Sequence, residues 1–369
     1  MKKRDIFEWI RLIDFSLIIT AALLVIFGNL MVYSATHNVS QGSQFFYLKK
    51  QITFSLIGFL IAVCIVLLNY NWFKHYMMPL YVGNIVLLLL VLFIGRTTYG
   101  ATRWISMGFF HLQPSELAKI ILILTLSAFL ADKKGNIGKI SELFTVFAYV
   151  GLPLLLILIQ PDLGTALVFL AIMLGMLFIS RLRWQHALFI LGTGILVIFL
   201  VFQFNLLREY QINRLMVFIN PGVDPMGAGY NLLQSKIAIG SGSFFGKGLF
   251  SGTQTSLNFL PVRYADFIFS VVGEELGFLG AAFLLGLYFF LIYRGLAIAL
   301  SAGNLYGTLV AVGVSSMWFF QIFVNVGMTM GIMPITGIPL PFLSYGGSSM
   351  LINFVGVGLL LNIYAHRFK

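Results

Sequence analysis

Charge is what this sequence has least of: among 369 residues, 9% are charged and 59% hydrophobic. Soluble domains carry about a quarter charged residues, so an ordinary soluble fold is excluded. Cysteine is almost absent. The single Cys64 lies inside an apolar run and rules out an internal disulfide. Histidine is scattered: His37, His75, His111, His186 and His366 sit at the ends of apolar runs, in no metal-holding spacing. No phosphate-binding glycine motif precedes a strand, and no low-complexity linker or charged tail interrupts the chain.

What is present is lipid-soluble helix. Apolar runs of about 20 residues predict ten spans, roughly 12–34, 51–69, 76–95, 114–131, 143–160, 163–180, 185–204, 267–293, 306–330 and 348–365. Each is expected to be helical, because backbone polar groups in lipid must be satisfied within their own segment. The expected fold is an all-α polytopic membrane protein with ten transmembrane helices. A long extracytoplasmic loop, about 205–265, joins helices 7 and 8, and residues 1–369 are expected to form one membrane domain.

The net charge of +11 does not point to nucleic acid, because the basic residues form short clusters at span ends rather than one face. With the N-terminus in the cytoplasm, 13 of the 23 Lys and Arg fall inside: Lys2, Lys3, Arg4, Arg11, Lys74, Lys133, Lys134, Lys139, Arg181, Arg183, Arg294, Arg367 and Lys369. Short outer loops hold Lys49, Lys50, Arg96 and Arg103, and long translocated loops are largely exempt from the rule. Both termini are therefore expected in the cytoplasm. Met1-Lys2-Lys3-Arg4 reads as the start of an uncleaved span, because Tyr33-Ser34-Ala35 is a poor signal-peptide cleavage site. The Asn38-Val39-Ser40 sequon reads as chance.

Charged residues concentrate between Asn205 and Gly277. Pro334 to Ser349 is different, with Pro334, Pro339 and Pro341 alternating with Gly337, Gly346 and Gly347. It cannot be regular helix, yet it is nearly uncharged, so it is expected to dip against other helices.

Several residues could carry chemistry. Asp266 directly precedes the eighth span, where an aspartate either caps the helix or serves as a general base in a cleft. Asp266, Ser270 and Glu274 fall on one helical face, so two carboxylates could line one groove. Ionisable residues inside a span usually face a partner or an aqueous cavity. Glu116 and Lys119 are an i, i+3 pair behind Pro114, either a structural ion pair or a site for an anionic head group. Asp162 either caps the sixth span or helps hold a divalent cation on a diphosphate. Among the outward cations, Arg214 and Lys236 are the chosen phosphate ligands, with Arg103, Arg208, Lys247 and Arg263 set aside as solvated charges.

Three stretches carry a resemblance. They are Asp224-Pro225-Met226-Gly227-Ala228-Gly229-Tyr230 running on through Gln234-Ser235-Lys236 to Gly242, Asp266-Phe267-Ile268-Phe269-Ser270 with Gly273-Glu274-Glu275-Leu276-Gly277, and Gly337-Ile338-Pro339-Leu340-Pro341 running through Ser344-Tyr345-Gly346-Gly347-Ser348-Ser349. Together they resemble the SEDS family (shape, elongation, division and sporulation) across the whole chain. Gln234 to Gly242, Gly246-Lys247-Gly248 and Gly252-Thr253-Gln254 resemble the elongation type more than the division type.

The resemblance implies a peptidoglycan glycosyltransferase of the bacterial cytoplasmic membrane, polymerising lipid II on the outer face beside a class B penicillin-binding protein. It maps the family's essential aspartate onto Asp266, and further cavity positions onto Glu116, Lys119 and Asp162. Where members commonly read Pro-Glu-x-x-Thr-Asp-Phe, this chain has Pro261-Val262-Arg263-Tyr264-Ala265-Asp266-Phe267, without the Glu and the Thr. The expected chemistry is inverting glycosyl transfer. Asp266 deprotonates the acceptor 4-hydroxyl, while Lys119, Arg214, Lys236 and a divalent cation (Mg2+ or Mn2+) offset charge on the departing undecaprenyl diphosphate. Apolar helix surfaces hold the two polyprenyl tails. The alternatives are a flippase for a lipid-linked sugar, which needs charge lining a path across the whole membrane, and a scaffold, which tolerates loss of Asp266.

Overall fold

The computed structural model describes residues 13–37, 45–98, 101–106, 108, 111–135, 140–180, 184–204, 207–257 and 259–367. Asn38-Val39-Ser40 and the basic residues Lys2, Lys3, Arg4, Arg11, Lys139, Arg181, Arg183 and Lys369 lie outside the described residues.

All ten expected spans are helices: α1 Phe15–Thr36, α2 Phe46–Leu67, α4 Met77–Ile94, α5 Pro114–Asp132, α6 Ile140–Ile159, α7 Leu163–Ile179, α8 Trp184–Gln203, α12 Ile268–Ser301, α13 Leu305–Met330 and α14 Gly347–Ala365. Among the described residues, nine of these are long and apolar enough to cross a membrane. The tenth, α7, is equally apolar at 17 residues. Short α3 (Asn71–His75) precedes α4, while α9 (Glu209–Ile219), α10 (Ala228–Ser241) and α11 (Thr253–Ser256) belong to the long loop. The fold is thus the all-α polytopic membrane architecture, with one addition. Arg96–Thr98, Ala101–Ser106 and His111–Leu112 form a small antiparallel sheet, β1-β2-β3, on the loop side.

Burial separates the helices. The most enclosed are α5, α13 and α14, whereas α8 exposes apolar side chains along most of its length. Leu122, Ile123, Trp318, Leu343 and Leu360, all fully buried, lie in the main core. At the end away from the long loop, Asp14 caps α1 through the Leu17 amide at 3.1 Å and accepts from the Arg294 Nε at 3.1 Å, so both ends of that pair are satisfied.

Two features position the site. The first is the 334–346 segment, which is non-helical and deeply packed: Ile338, Leu340, Phe342 and Leu343 are buried. Buried backbone must find partners. Its carbonyls find them in side chains: Asn325 Nδ2 to Ile338 O at 2.7 Å, Tyr288 Oη to Pro341 O at 2.8 Å and Gln51 Nε2 to Ser344 O at 3.2 Å.

The second is a break in α12. Gly277 has φ +63° and ψ −159°, which interrupts the helical ladder. A Cβ there would collide with the Gly246 amide, so glycine is required both by space and by conformation. The freed groups are met by loop backbone: Lys247 N and Gly248 N donate to Glu274 O (3.0 Å) and Glu275 O (2.9 Å), while Phe278 N and Leu279 N donate to Ser243 O (3.0 Å) and Phe244 O (3.2 Å). Irregular backbone is thereby completed by protein.

Candidate functional site

The segments Pro161–Leu167, Tyr210–Leu215 and Pro334–Thr336 meet at one place. A cavity of about 90 Å³ opens there, apolar along Leu163, Leu167, Leu215 and Ile335, with Arg103 and Arg214 as its charges. The next residue, Gly337, brings in Asp266: a Cβ built on Gly337 would stand 3.5 Å from the Asp266 Oδ2, and φ is +74° there. Only the missing side chain leaves the carboxylate an open approach from that direction.

Asp266 does not cap α12. The N-cap is Phe267, with no side-chain cap bond. The backbone around Asp266 is fixed instead: Asn325 Nδ2 donates to Asp266 O at 3.0 Å, Ser344 Oγ to Ala265 O at 2.7 Å, and Tyr345 N to Tyr264 O at 2.9 Å. No described residue donates a hydrogen bond to its carboxylate. The group keeps a little surface but sits among packed protein, and this burial pushes its pKa up against the opposing pull of Arg214 and Arg103. A raised, unbonded carboxyl has the properties of a general base.

The two guanidiniums are held from behind. Arg103 Nε donates to Gln160 O at 3.3 Å and a terminal nitrogen to Pro161 O. Arg214 Nη1 donates to Ile335 O at 3.4 Å, and its guanidinium lies 5.7 Å from the Tyr210 ring centre. Tyr210 in turn donates to Pro161 O at 2.9 Å. Burial lowers the Arg214 pKa, with Asp266 and Tyr210 opposing it, and it remains a cation at any physiological pH. Guanidinium forks facing an apolar cavity fit a phosphate attached to a lipid chain.

Asp162 lies beside them and caps α7, accepting from Thr165 N at 3.3 Å. Its oxygens also accept from Thr165 Oγ1 (2.9 Å), Gln113 Nε2 (3.1 Å) and Ser115 Oγ (3.2 Å), and an Arg103 nitrogen stands 3.7 Å away. A carboxylate so filled with donors, next to a guanidinium, does not fit a resident divalent cation. Among the described residues, no group of three or more His, Cys, Asp or Glu could hold a metal.

Three expected ligands stand elsewhere. Lys119 is sealed one turn below Ser115, its ammonium 2.7 Å from Glu116, and both side chains are buried. The pair uses one carboxylate oxygen only, and the buried Glu116 Oε2 has no hydrogen-bond partner among the described residues. Lys236 is exposed on α10, where its stem covers the α13 C-cap at Gly331. Glu274 does not share a groove with Asp266. Ser270, between them, bonds Ser235 Oγ at 2.6 Å. The Glu274 carboxylate is enclosed by Lys247 Nζ (2.8 Å), Gln254 N (2.8 Å), Thr255 N (3.1 Å) and Thr255 Oγ1 (2.9 Å), so the i+8 face is spent on folding the loop. Asp224 has a similar task, accepting from Gly227 N, Ala228 N and Asn213 Nδ2, each at 2.9 Å; the hydrogen bond donated by the Ala228 backbone amide leads in holding its pKa low.

Arg103 and Asn325 are the residues that sequence reasoning passed over. Arg103 reads as one solvated cation among six, and only folding of the 96–112 sheet brings it over Pro161. Asn325 did leave a signal, since an amide inside an apolar span needs partners.

Fold and site together define a multi-pass helical membrane protein in which a carboxylate with no hydrogen-bond donor among the described residues stands near two arginines that line a small, largely apolar cavity. The family model for FtsW, RodA and SpoVE, described as a cell cycle protein, matches residues 14–369. The chain belongs to this family, the SEDS proteins. It is 39% identical over 360 residues to the "Probable peptidoglycan glycosyltransferase FtsW" of Trichlorobacter lovleyi, covering 95% of this chain and 93% of that one. It is 37% identical over 368 residues to the "Peptidoglycan glycosyltransferase MrdB" of Escherichia coli K12, covering 99% and 96%. A solved chain from "Structural coordination of polymerization and crosslinking by a peptidoglycan synthase complex" superposes with a TM-score of 0.82 at 31% identity, covering 97% of this chain and 99% of that one.

Proposed function

We propose that this chain, a peptidoglycan glycosyltransferase of the SEDS family, is of the elongation type and polymerises lipid II at the outer face of the bacterial cytoplasmic membrane. Both division-type and rod-type relatives match at similar identity. The elongation reading rests on the Gln234 to Gly242 stretch and on Gly246-Lys247-Gly248. The excess of Lys and Arg at one set of span ends supports cytoplasmic termini and an outward 207–265 loop.

The observation that carries the reading is the Asp266 carboxylate, desolvated and without a hydrogen-bond donor among the described residues, standing across Gly337 from the arginine-lined cavity. In the reaction, Asp266 takes the proton of the acceptor GlcNAc 4-hydroxyl. The oxygen attacks the MurNAc anomeric carbon, the bond to the diphosphate breaks, and undecaprenyl diphosphate leaves with inversion. Arg103 and Arg214 balance the charge that develops on the leaving group, already oriented before the step. Lys119, Lys236 and Glu274 have no direct part in it. A single buried ion pair, Lys119 with Glu116, does not build a charged path across the membrane, which weighs against a flippase. A class B penicillin-binding protein as partner is supported by the synthase complex that this chain resembles.

The test is glycan synthesis from purified lipid II by the protein alone and with a candidate transpeptidase. Polymer made by the wild type and lost in folded, partner-bound Asp266→Asn supports the mechanism. Undiminished polymer from that variant refutes it.

A further inference from the structure

At the end of the bundle away from the long loop, the chain turns from α2 into α4 through residues 68–76, which include α3. Trp72, His75 and Tyr76 line a cleft of about 310 Å³ there. That is at the lower end of the size of ligand pockets and suits a head group. Glycosyl transfer at Asp266 makes no use of it.

The turn is held as a platform. Asn304 Nδ2 donates to Asn71 Oδ1 at 3.3 Å, and Tyr70 stacks on Tyr306 with ring centres 5.9 Å apart. Lys74 Nζ stands 2.8 Å from Asp132 Oδ1, at the last residue of α5. The rings around the cleft are free by contrast. Trp72 is 61% exposed and Tyr76 60%, and neither the indole N–H nor the phenol hydroxyl has a partner among the described residues. His75 Nδ1 faces Asn71 O at 3.0 Å, so that nitrogen carries the proton and Nε2 is left over.

Position and charge identify the occupant. Tryptophan and tyrosine with one apolar and one wet end belong to the membrane–water boundary. On either side in the chain, Leu67, Leu68 and Met78 are exposed apolar residues, which suit acyl chains. The neighbouring charges are Lys74, Lys133 and Lys134 against Asp132 and Glu142. Lys74 and Lys133 face those carboxylates in partly exposed pairs, which solvent screens, and Lys134 leaves the set positive.

We propose that the cleft formed by Trp72, His75 and Tyr76 seats the head group of an anionic phospholipid, of the phosphatidylglycerol class, from the leaflet at this end of the bundle. A phosphodiester offers only acceptors. The Trp72 indole and the Tyr76 hydroxyl donate to it, a protonated His75 Nε2 adds a third donor, and Lys74 supplies charge from the same turn. The rings alone would also suit an ammonium group, and the excess of lysine decides for the anion. The proposal depends neither on the polymerase reading nor on which side of the membrane this end faces.

The test uses the purified full chain in phosphatidylcholine nanodiscs. These hold a minor fraction of either phosphatidylglycerol or phosphatidylethanolamine with brominated acyl chains, which quench tryptophan on contact. Trp72 is one of five tryptophans, so its emission is the difference between the wild type and Trp72→Phe. The expected result is quenching of Trp72 about fivefold stronger with the brominated phosphatidylglycerol. In the double variant His75→Leu with Tyr76→Phe, which keeps the reporter and removes two donors, the preference falls below about twofold.

Equal quenching by the two lipids in the wild type overturns the head-group assignment, whether or not any variant folds. An unchanged preference in the double variant, shown to be folded by thermal melting, overturns the cleft as the site. Quenching of Trp72 by aqueous acrylamide, with none from either brominated lipid, overturns the membrane placement and leaves the cleft to a soluble partner.

Discussion

Asn325 holds Asp266 by its backbone and leaves its carboxylate free: one amide nitrogen donates to Asp266 O at 3.0 Å and to Ile338 O at 2.7 Å. A single side chain in α13 thus ties the end of the long loop to the 334–346 segment. The base is aimed without being neutralised.

Replacing Asn325 by Leu leaves two buried carbonyls without that donor. The expected cost is about 1–3 kcal/mol per unsatisfied group, read as a lower thermal midpoint. Turnover falls about tenfold to a hundredfold, because a small displacement of a reacting group is costly. Unchanged turnover in Asn325→Leu would show that Asp266 is positioned by other means.

Asp266→Asn separates catalysis from stability. Burial raises this carboxyl above its ordinary value of 3.8. A carboxyl raised in the folded state favours folding below the unfolded pKa, and that contribution is lost as pH rises through the folded value. At neutral pH the ionised group therefore costs stability, and Asn removes the cost. The variant is expected to melt at or above the wild-type temperature at pH 7.5, with the advantage gone near pH ~4. Wild-type kcat/KM declines as pH falls through the raised pKa, while the variant stays inactive throughout. A lower melting point for the variant at neutral pH would contradict the assigned environment.

Glu274→Ala should act through the loop. It strands Lys247 and the amides of Gln254 and Thr255, at about 3–5 kcal/mol for breaking a buried pair. Limited proteolysis would report faster cleavage between residues 243 and 257, with KM for lipid II unchanged in the fraction that stays folded. A raised KM at full stability would return Glu274 to the substrate groove.

Arg214→Lys keeps the charge and removes the planar fork. Product inhibition by undecaprenyl diphosphate is expected to weaken about tenfold, whereas Lys236→Met leaves it unchanged. Equal effects from both would mean that only long-range charge matters.

The ten helices were legible because lipid imposes one rule on every span, and apolar run length reads it directly. The non-helical nature of the 334–346 segment was legible from its prolines. The partners of each charge were not. Asp266 and Glu274 stand at matched helical spacing, yet Glu274 turns to Lys247 and Asp266 precedes the helix altogether. Spacing gives the face of an element, and what covers that face comes from a loop folded back over it. Arg103 shows the same limit, since its place beside Pro161 depends on a sheet made of short, irregular strands.

The break at Gly277 ties the length of a surface loop to the interior of the bundle. Ser243 to Gly248 supply the backbone that α12 lacks, so the spacing between that stretch and the helix is a fixed dimension. A residue inserted between Gly248 and Asp266 can be absorbed where the chain is free to bulge. One inserted within 243–248 slides amides past carbonyls and opens the ladder at membrane depth. Variation in loop length among functional chains should therefore stop at the edges of this stretch, as it would at the edges of a transmembrane helix.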